Sequence, residues 1–349
     1  RLSKEIHRKM CHKSWHIFFV SKHHTQQMTE RRRLHCRMLR LALICSACLY
    51  LASCDNDIPE PDKPVPTVNE NANHPGIAEA ARMEIPRLKE GTYDQFIVKR
   101  AKLRDNGNEM FVNFCMEYDQ LKKATRWTAF RWDIDNTYDS NCGRTGSFTT
   151  DPDVPSQYRV GSGTFRGYQR GHMLASEDRQ CSASANSQTF LMTNIHPQLG
   201  RFNGYDDNGS YVWVNAEGLV RKLYQGWTRA NNATDTIYVV KGGTIDKSTQ
   251  IMGYTSNNST SGIIVPKYFY MAMLYKTGKS QTQGGYKAIA LWIPHNEGNT
   301  TDGKSIAQKY AISIDKLEEY TGIDFFCNLP DHLEKVVEGS CNLAAWGWQ

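Results

Sequence analysis

Tyr168-Gln169-Arg170-Gly171-His172 begins a set of polar residues that continues through Thr193-Asn194-Ile195-His196-Pro197-Gln198 and Asn203 to Trp213, Glu217 and Arg221. The last three stand four residues apart. Between Tyr211 and Leu223 the apolar Val212, Ala216, Leu219, Val220 and Leu223 also recur three and four apart. This double periodicity predicts a helix over Tyr211 to Tyr224 with an apolar stripe that packs and a neighbouring line of Trp213, Glu217 and Arg221. Gly218 sits inside that helix at a cost of roughly 1 kcal/mol relative to alanine.

The residue types suit hydrolysis of a phosphodiester, which needs a base for water, a divalent cation on the phosphate oxygens and fixed positive charge for the transition state. His172 fits the base, because an unperturbed imidazole titrates near neutral pH. Asn203 offers a neutral oxygen to a hard cation such as Mg²⁺, which keeps most of its own waters. Glu217 can accept hydrogen bonds from those waters. Arg170 and Arg221 present planar forks of donors to phosphate, and Arg179 is a further candidate contact. Asn194 is a candidate for substrate binding, although a role in orienting the His172 ring or holding its loop is the stronger reading. His196 beside Pro197 reads as structural, and Glu177 and Asp178 read as a solvated or locally paired turn.

In these positions the chain resembles the DNA/RNA non-specific endonuclease family, whose members carry a ββα-metal (His-Me) finger. The family signature is Asp-Arg-Gly-His, then Ser/Thr-Asn-x-x-Pro-Gln, then an Asn, then a helix with Trp, Glu and Arg at intervals of four. Here those positions hold Gln169 to His172, Thr193 to Gln198, Asn203, Trp213, Glu217 and Arg221. The likeness extends to Arg126-Trp127-Thr128-Ala129-Phe130, Val265-Pro266-Lys267-Tyr268-Phe269 and Thr321-Gly322-Ile323-Asp324-Phe325-Phe326. It implies an endonuclease acting on DNA and RNA with little sequence preference and leaving 5′-phosphate ends. It also implies His172 as general base, Asn203 as the direct ligand of one Mg²⁺ with Mn²⁺ as a substitute, Glu217 as an outer partner of the metal, and Arg170 and Arg221 as phosphate contacts. The chain departs from the family at Gln169, where Asp is usual, and in the longer link between Asn203 and Trp213. Asp206 and Asp207 in that link either reach the metal or are simply solvated.

Runs rich in β-branched and aromatic residues predict strands at Phe111 to Tyr118, Trp127 to Trp132, Thr236 to Lys241, Tyr268 to Tyr275 and Tyr286 to Ile293. Helical patterns lie near Asn186 to Met192, Tyr211 to Tyr224, Ile314 to Tyr320 and Leu333 to Glu338, and Thr255 to Gly262 reads as an exposed loop. The fold class expected is α+β, a mainly antiparallel central sheet flanked by helices, with the endonuclease domain spanning 84–349.

The residues ahead of that domain carry an address. Residues 1–27 are basic, histidine-rich and aperiodic, which fits translated upstream sequence with the start at Met28 or Met38. From Met38 a basic segment leads into the apolar Leu41 to Leu51 and then Leu51-Ala52-Ser53-Cys54, which resembles a bacterial lipobox with Cys54 as the lipidated residue. Residues 55–83, proline-rich and acidic at first, read as a flexible tether. The expectation is an outer-membrane lipoprotein facing the periplasm or the cell surface, touching the membrane only through its anchor.

The whole chain carries +6, with 42 Lys/Arg against 36 Asp/Glu, but residues 1–54 hold eleven of the basic and two of the acidic residues, so the remainder stands at −3. No global electrostatic footprint for nucleic acid is left, and affinity has to come from a local cleft and the metal. Two other readings follow from Gln169 and this charge: a nucleic-acid or glycan binding lipoprotein on a degenerate scaffold, or a phosphodiesterase of small diesters. Five of ten cysteines lie beyond Cys54, and the pairing expected is Cys142 with Cys181 and Cys327 with Cys341, leaving Cys115 buried in its strand.

Overall fold

A computed structural model describes residues 69–74, 76–137, 142–204, 211–231, 235–255, 262–280, 285–296 and 303–349. The readings on residues 1–68, Cys54 among them, on Asp206 and Asp207, and on most of the loop at 255–262 fall outside these residues.

The β-branched and aromatic runs become one antiparallel sheet of seven strands. It is made from β1 (Asp94–Lys102), β2 (Met110–Asp119), β3 (Ala124–Trp132), β6 (Thr236–Gly243), β9 (Tyr268–Lys276), β10 (Tyr286–Pro294) and β11 (Ala311–Ile312), side by side in that order. Two short pairs stand apart: β4 (Gln169–His172) with β5 (Ile195–Gln198), and β7 (Ile251–Tyr254) with β8 (Ile264–Pro266). The helices are α1 (Ala183–Gln188), α2 (Gly200–Asn203), α3 (Val212–Asn231), α4 (Gly303–Tyr310), α5 (Ile314–Thr321) and α6 (Asp331–Glu338).

Both faces of the sheet are covered. Phe130, Val239, Met271 and Leu291 pack on one side with Val212, Trp213, Ala216 and Val220 of α3, and with Ile306 of α4. Trp127, Val240, Ala272, Leu274 and Ala290 pack on the other with Ile314 and Leu317 of α5 and Val337 of α6. Each large apolar side chain so buried contributes about 1.5–3 kcal/mol. Two-sided burial explains why β9 reads Tyr268-Phe-Tyr-Met-Ala-Met-Leu-Tyr275 with no polar alternation.

All five expected strands and the helices at α5 and α6 are present, and the α+β class is the one observed. Three expectations change. The helix placed at Asn186 to Met192 is instead α1, beginning after Ser182, whose hydroxyl accepts the Ala185 amide at 3.0 Å as an N-cap. Residues from Asn69 to Met83 are not a loose tether. Asn69 donates to the Leu329 carbonyl at 2.8 Å, and the buried Asn73 donates to the carbonyls of Ala80 and Pro86. The packed domain therefore starts ahead of Glu84. Third, all five described cysteines are free thiols: Cys181 packs with Ala101 and Ala185, Cys327 lies against the Ile85 carbonyl, and Cys341 is exposed. Cys115 is buried as expected, and burial pushes its thiol far above the ordinary range.

Candidate active site

Strands β4 and β5 pair antiparallel, setting Gly171 opposite His196 and His172 opposite Ile195, and the chain runs directly from β5 into α2. Gly171 is required here, because a Cβ would lie 2.1 Å from the Gln198 side chain. Gly204, at φ +120°, ends α2 immediately after Asn203 in a conformation that favours glycine. Asn203 is thus left half-buried at the end of a single turn, with Phe202 beneath it stacked on Trp213 at 5.9 Å.

The line of three on α3 is realised. Trp213 Nε1 donates to the His172 carbonyl at 2.9 Å and locks the finger onto the helix. One turn on, Glu217 Oε1 lies 3.2 Å from Lys241 Nζ. A further turn brings Arg221 to Asp178 Oδ1 at 2.7 Å and to Glu177 Oε2 at 2.6 Å. Lys241 also reaches Asp178 Oδ2 at 3.6 Å and sits over the rings of Phe130 and Trp213. The Lys241 side chain is 1% exposed. Burial lifts Glu217 above the usual carboxylate range, with Lys241 pulling against the rise and Asp178 adding to it. Asp178 and Glu217 hold Arg221 firmly charged although burial opposes it.

His172 is held by shape. Its ring touches Phe148 at 5.4 Å and Phe190 at 5.1 Å, and those two rings touch each other at 5.4 Å. Arg170 lies over Phe148 at 4.7 Å and Arg144 over Phe190 at 4.6 Å, both exposed. The His172 Nε2 is enclosed with no hydrogen-bond partner among the described residues. Burial, then Arg144 and Lys241, lower its pKa to about 3 against the pull of Asp178, so the ring is neutral at neutral pH. Beyond Arg221 a cleft of about 320 Å³ opens beside Trp132, Asn136, Gln180 and Tyr224.

His172, Trp213, Glu217 and Arg221 are therefore brought together, with Arg170 at the rim and Asn203 on the adjoining turn. Two expected substrate contacts are not. Arg179 is fully buried and donates to the carbonyls of Asn113, Asp178 and Arg131, so it braces β2 and β3 and cannot meet phosphate. Asn194 is equally enclosed: it donates to the Leu174 and Thr189 carbonyls and accepts the Leu174 amide at 2.9 Å, clamping the chain just past His172. Of the two readings of the Glu177-Asp178 turn, solvated or locally paired, pairing holds, although the partner of both is Arg221 of α3 rather than a local residue, and Asp178 is buried. His196 is buried against Phe269, in keeping with a structural role. Sequence reasoning missed Lys241 and Arg144. Lys241 carried a signal, since a lysine inside Ile237-Tyr-Val-Val-Lys241 must find a buried partner; Arg144 sits in a loop with none.

The chain is similar to known proteins over most of its length. The family model described as DNA/RNA non-specific endonuclease matches residues 95–332. A nuclease of Nostoc sp. is 27% identical over 233 residues, covering 64% of this chain and 75% of that protein. Nuclease C1 of Cunninghamella echinulata is 26% identical over 222 residues, covering 62% and 81%. The mitochondrial nuclease EXOG of Mus musculus is 24% identical over 264 residues, covering 72% and 65%. A chain from the crystal structure of an EndoG/EndoGI complex shares the fold, with a TM-score of 0.50 at 18% identity over 69% of this chain and 90% of that one. The chain belongs to the DNA/RNA non-specific endonuclease family and is a nuclease, a hydrolase acting on nucleic acids.

Proposed function

We propose that this nuclease cuts both DNA and RNA with little sequence preference, using His172 as general base and a divalent cation, Mg²⁺ or in its place Mn²⁺, held through Asn203. The observation that carries this reading is the placement of His172: half-buried, backed by Trp213 through its carbonyl and caged by two phenylalanines, beside the helix that bears Glu217 and Arg221. A neutral imidazole held in one place can take a proton from water without first losing one of its own.

The residues suit a hard cation. Asn203 supplies a neutral oxygen at a half-buried position ahead of α3, and the carboxylates Glu217 and Asp178, both reached by Lys241, are buried. The rise in the Glu217 pKa marks a place where added positive charge is favourable. A bound cation would supply Lewis-acid stabilisation of charge developing on the phosphate oxygens. Glu217 would receive hydrogen bonds from its waters. Lys241 opposes the effect of burial on Glu217 and holds its carboxylate in place. Arg221, held by Asp178 and Glu177, directs its remaining guanidinium edge to the substrate, while Arg170 and Arg144 hold phosphates on either side of the base.

Incubating plasmid and RNA with protein starting at Asn69, with Mg²⁺, with EDTA, and with His172→Ala, tests the reading. Degradation of both polymers that needs metal and is lost in a normally folded variant is the expected result. Substantial hydrolysis by His172→Ala would remove the base, and intact polymers at every metal and pH would leave only a binding scaffold. We place the protein on the outer membrane through a lipid at Cys54, on the strength of the leader pattern. Failure of a palmitate analogue to label the wild type more than Cys54→Ser would reject that placement.

A further inference from the structure

On the face of the sheet opposite α3, Asp315 and Glu318 lie one turn apart on α5, and Glu338 ends α6. One carboxylate oxygen from each lies within 4.8 Å of the others. Asp315 in the first turn of α5 suits the helix dipole, but bringing three carboxylates together is unfavourable for the protein alone. Like charges three residues apart destabilise a helix, and a carboxylate at a helix C-terminus opposes the helix dipole. Glu338 is only 4% exposed, its carboxylate reaches into the group, and its Oε1 has no hydrogen-bond partner among the described residues. Glu318 uses one oxygen to accept the Phe325 amide at 2.7 Å. The nearby Asp324 and Glu334 are engaged by the Asn71 amide, which brings no charge.

We propose that Asp315, Glu318 and Glu338 bind a structural calcium ion that ties α5 to α6, separate from the nuclease centre. Three protein carboxylates in one grouping suit Ca²⁺, which takes many oxygen ligands in flexible geometry, better than Mg²⁺, which keeps most of its waters and takes one or two carboxylates. Carboxylate oxygens are the hard donors calcium prefers, and waters complete the shell at the exposed Asp315 side. The electrostatics run the same way. Burial, reinforced by Glu318, Glu334, Asp324 and Asp315, pushes the Glu338 carboxyl up to about 10, and burial raises Glu318 to about 8. A divalent cation neutralises these charges where no lysine or arginine is a leading influence on Glu338.

Equilibrium dialysis against Ca²⁺ and thermal unfolding test the site on protein starting at Asn69, comparing wild type with Glu338→Gln, Asp315→Asn and Asn203→Ala. Wild type and Asn203→Ala are expected to take up a calcium ion that both carboxylate variants lose. The midpoint of wild type should rise by about 5 °C at a hundredfold excess of Ca²⁺ over Kd, reversibly with EDTA. Glu338→Gln, which keeps a neutral polar group where the metal-free carboxyl holds its proton, should unfold no lower than metal-free wild type and gain nothing from calcium. Asp315→Asn alters an exposed residue and guards against a folding defect at Glu338. Equal uptake and equal shifts in wild type and both carboxylate variants would overturn the proposal. So would uptake lost only in Asn203→Ala, or no uptake at all, which would mean that Glu318 and Glu338 share a proton instead.

Discussion

Replacing Lys241 with methionine keeps much of the volume between Phe130 and Trp213 but removes the ammonium that lies 3.2 Å from Glu217 and 3.6 Å from Asp178. Breaking a buried ion pair from one side costs about 3–5 kcal/mol, because the partner charge stays behind. Asp178 keeps Arg221 at 2.7 Å, so the lower end, about 3 kcal/mol, is expected. That is a fall of about 6–12 °C in unfolding midpoint. The cost should depend on pH. Glu217 holds its proton more tightly folded than unfolded, so its ionisation weakens the fold as pH rises through the folded value, and the effect vanishes below the unfolded value. Without Lys241 the folded value rises further, so the variant loses most on the alkaline side and least in acid. Denaturant unfolding in EDTA at about pH 5 and about pH 8.5 measures the difference. A cost below about 1 kcal/mol at both, or the same cost at both, would refute the role given to Lys241.

Gly218→Ala should stabilise the protein by up to about 1 kcal/mol in the same assay, since a Cβ at that helical position meets nothing within 4 Å. Arg144→Ala and Arg170→Ala should each raise KM for polymer several-fold and lower the salt slope of binding by about 1, with unchanged melting. Arg179→Met, by contrast, should lower the unfolding midpoint, because it strands buried carbonyls of Asn113 and Arg131 at about 1–3 kcal/mol each. Starting the protein at Glu84 rather than Asn69 should cost about 2–4 kcal/mol, since it removes Asn73 from the Pro86 carbonyl and Arg82 from the buried Glu84; equal denaturation midpoints would show those contacts to be idle.

The central strands were legible because burial on both faces writes itself as unbroken β-branched and aromatic runs, as in β9 and β10. The two faces of α3 were legible because its packing and polar stripes each repeat at helical spacing. Its full length to Asn231 was not, nor was α4, where Gly303 to Tyr310 offers only Ile306 and Ala307 as fully buried anchors. Strand β1 escaped because Lys99 interrupts its pattern; that lysine is buried on Asp151 at 2.5 Å, a partner no local reading can supply. Arg179 and Arg170 look alike in sequence. What separates a brace from a substrate contact is which carbonyls surround it, and those come from β2 and β3, far away along the chain.

The cage around His172 is built from ring contacts, and the charges near it stand outside those rings. Dissolved salt screens charge but leaves ring packing almost untouched. Ionic strength therefore acts on two parts of this protein unequally: it screens the exposed Arg144 and Arg170 while the His172 ring stays where Phe148 and Phe190 hold it. Under the proposed roles, inhibition by salt becomes a direct reading of substrate capture, with the placement of His172 held constant.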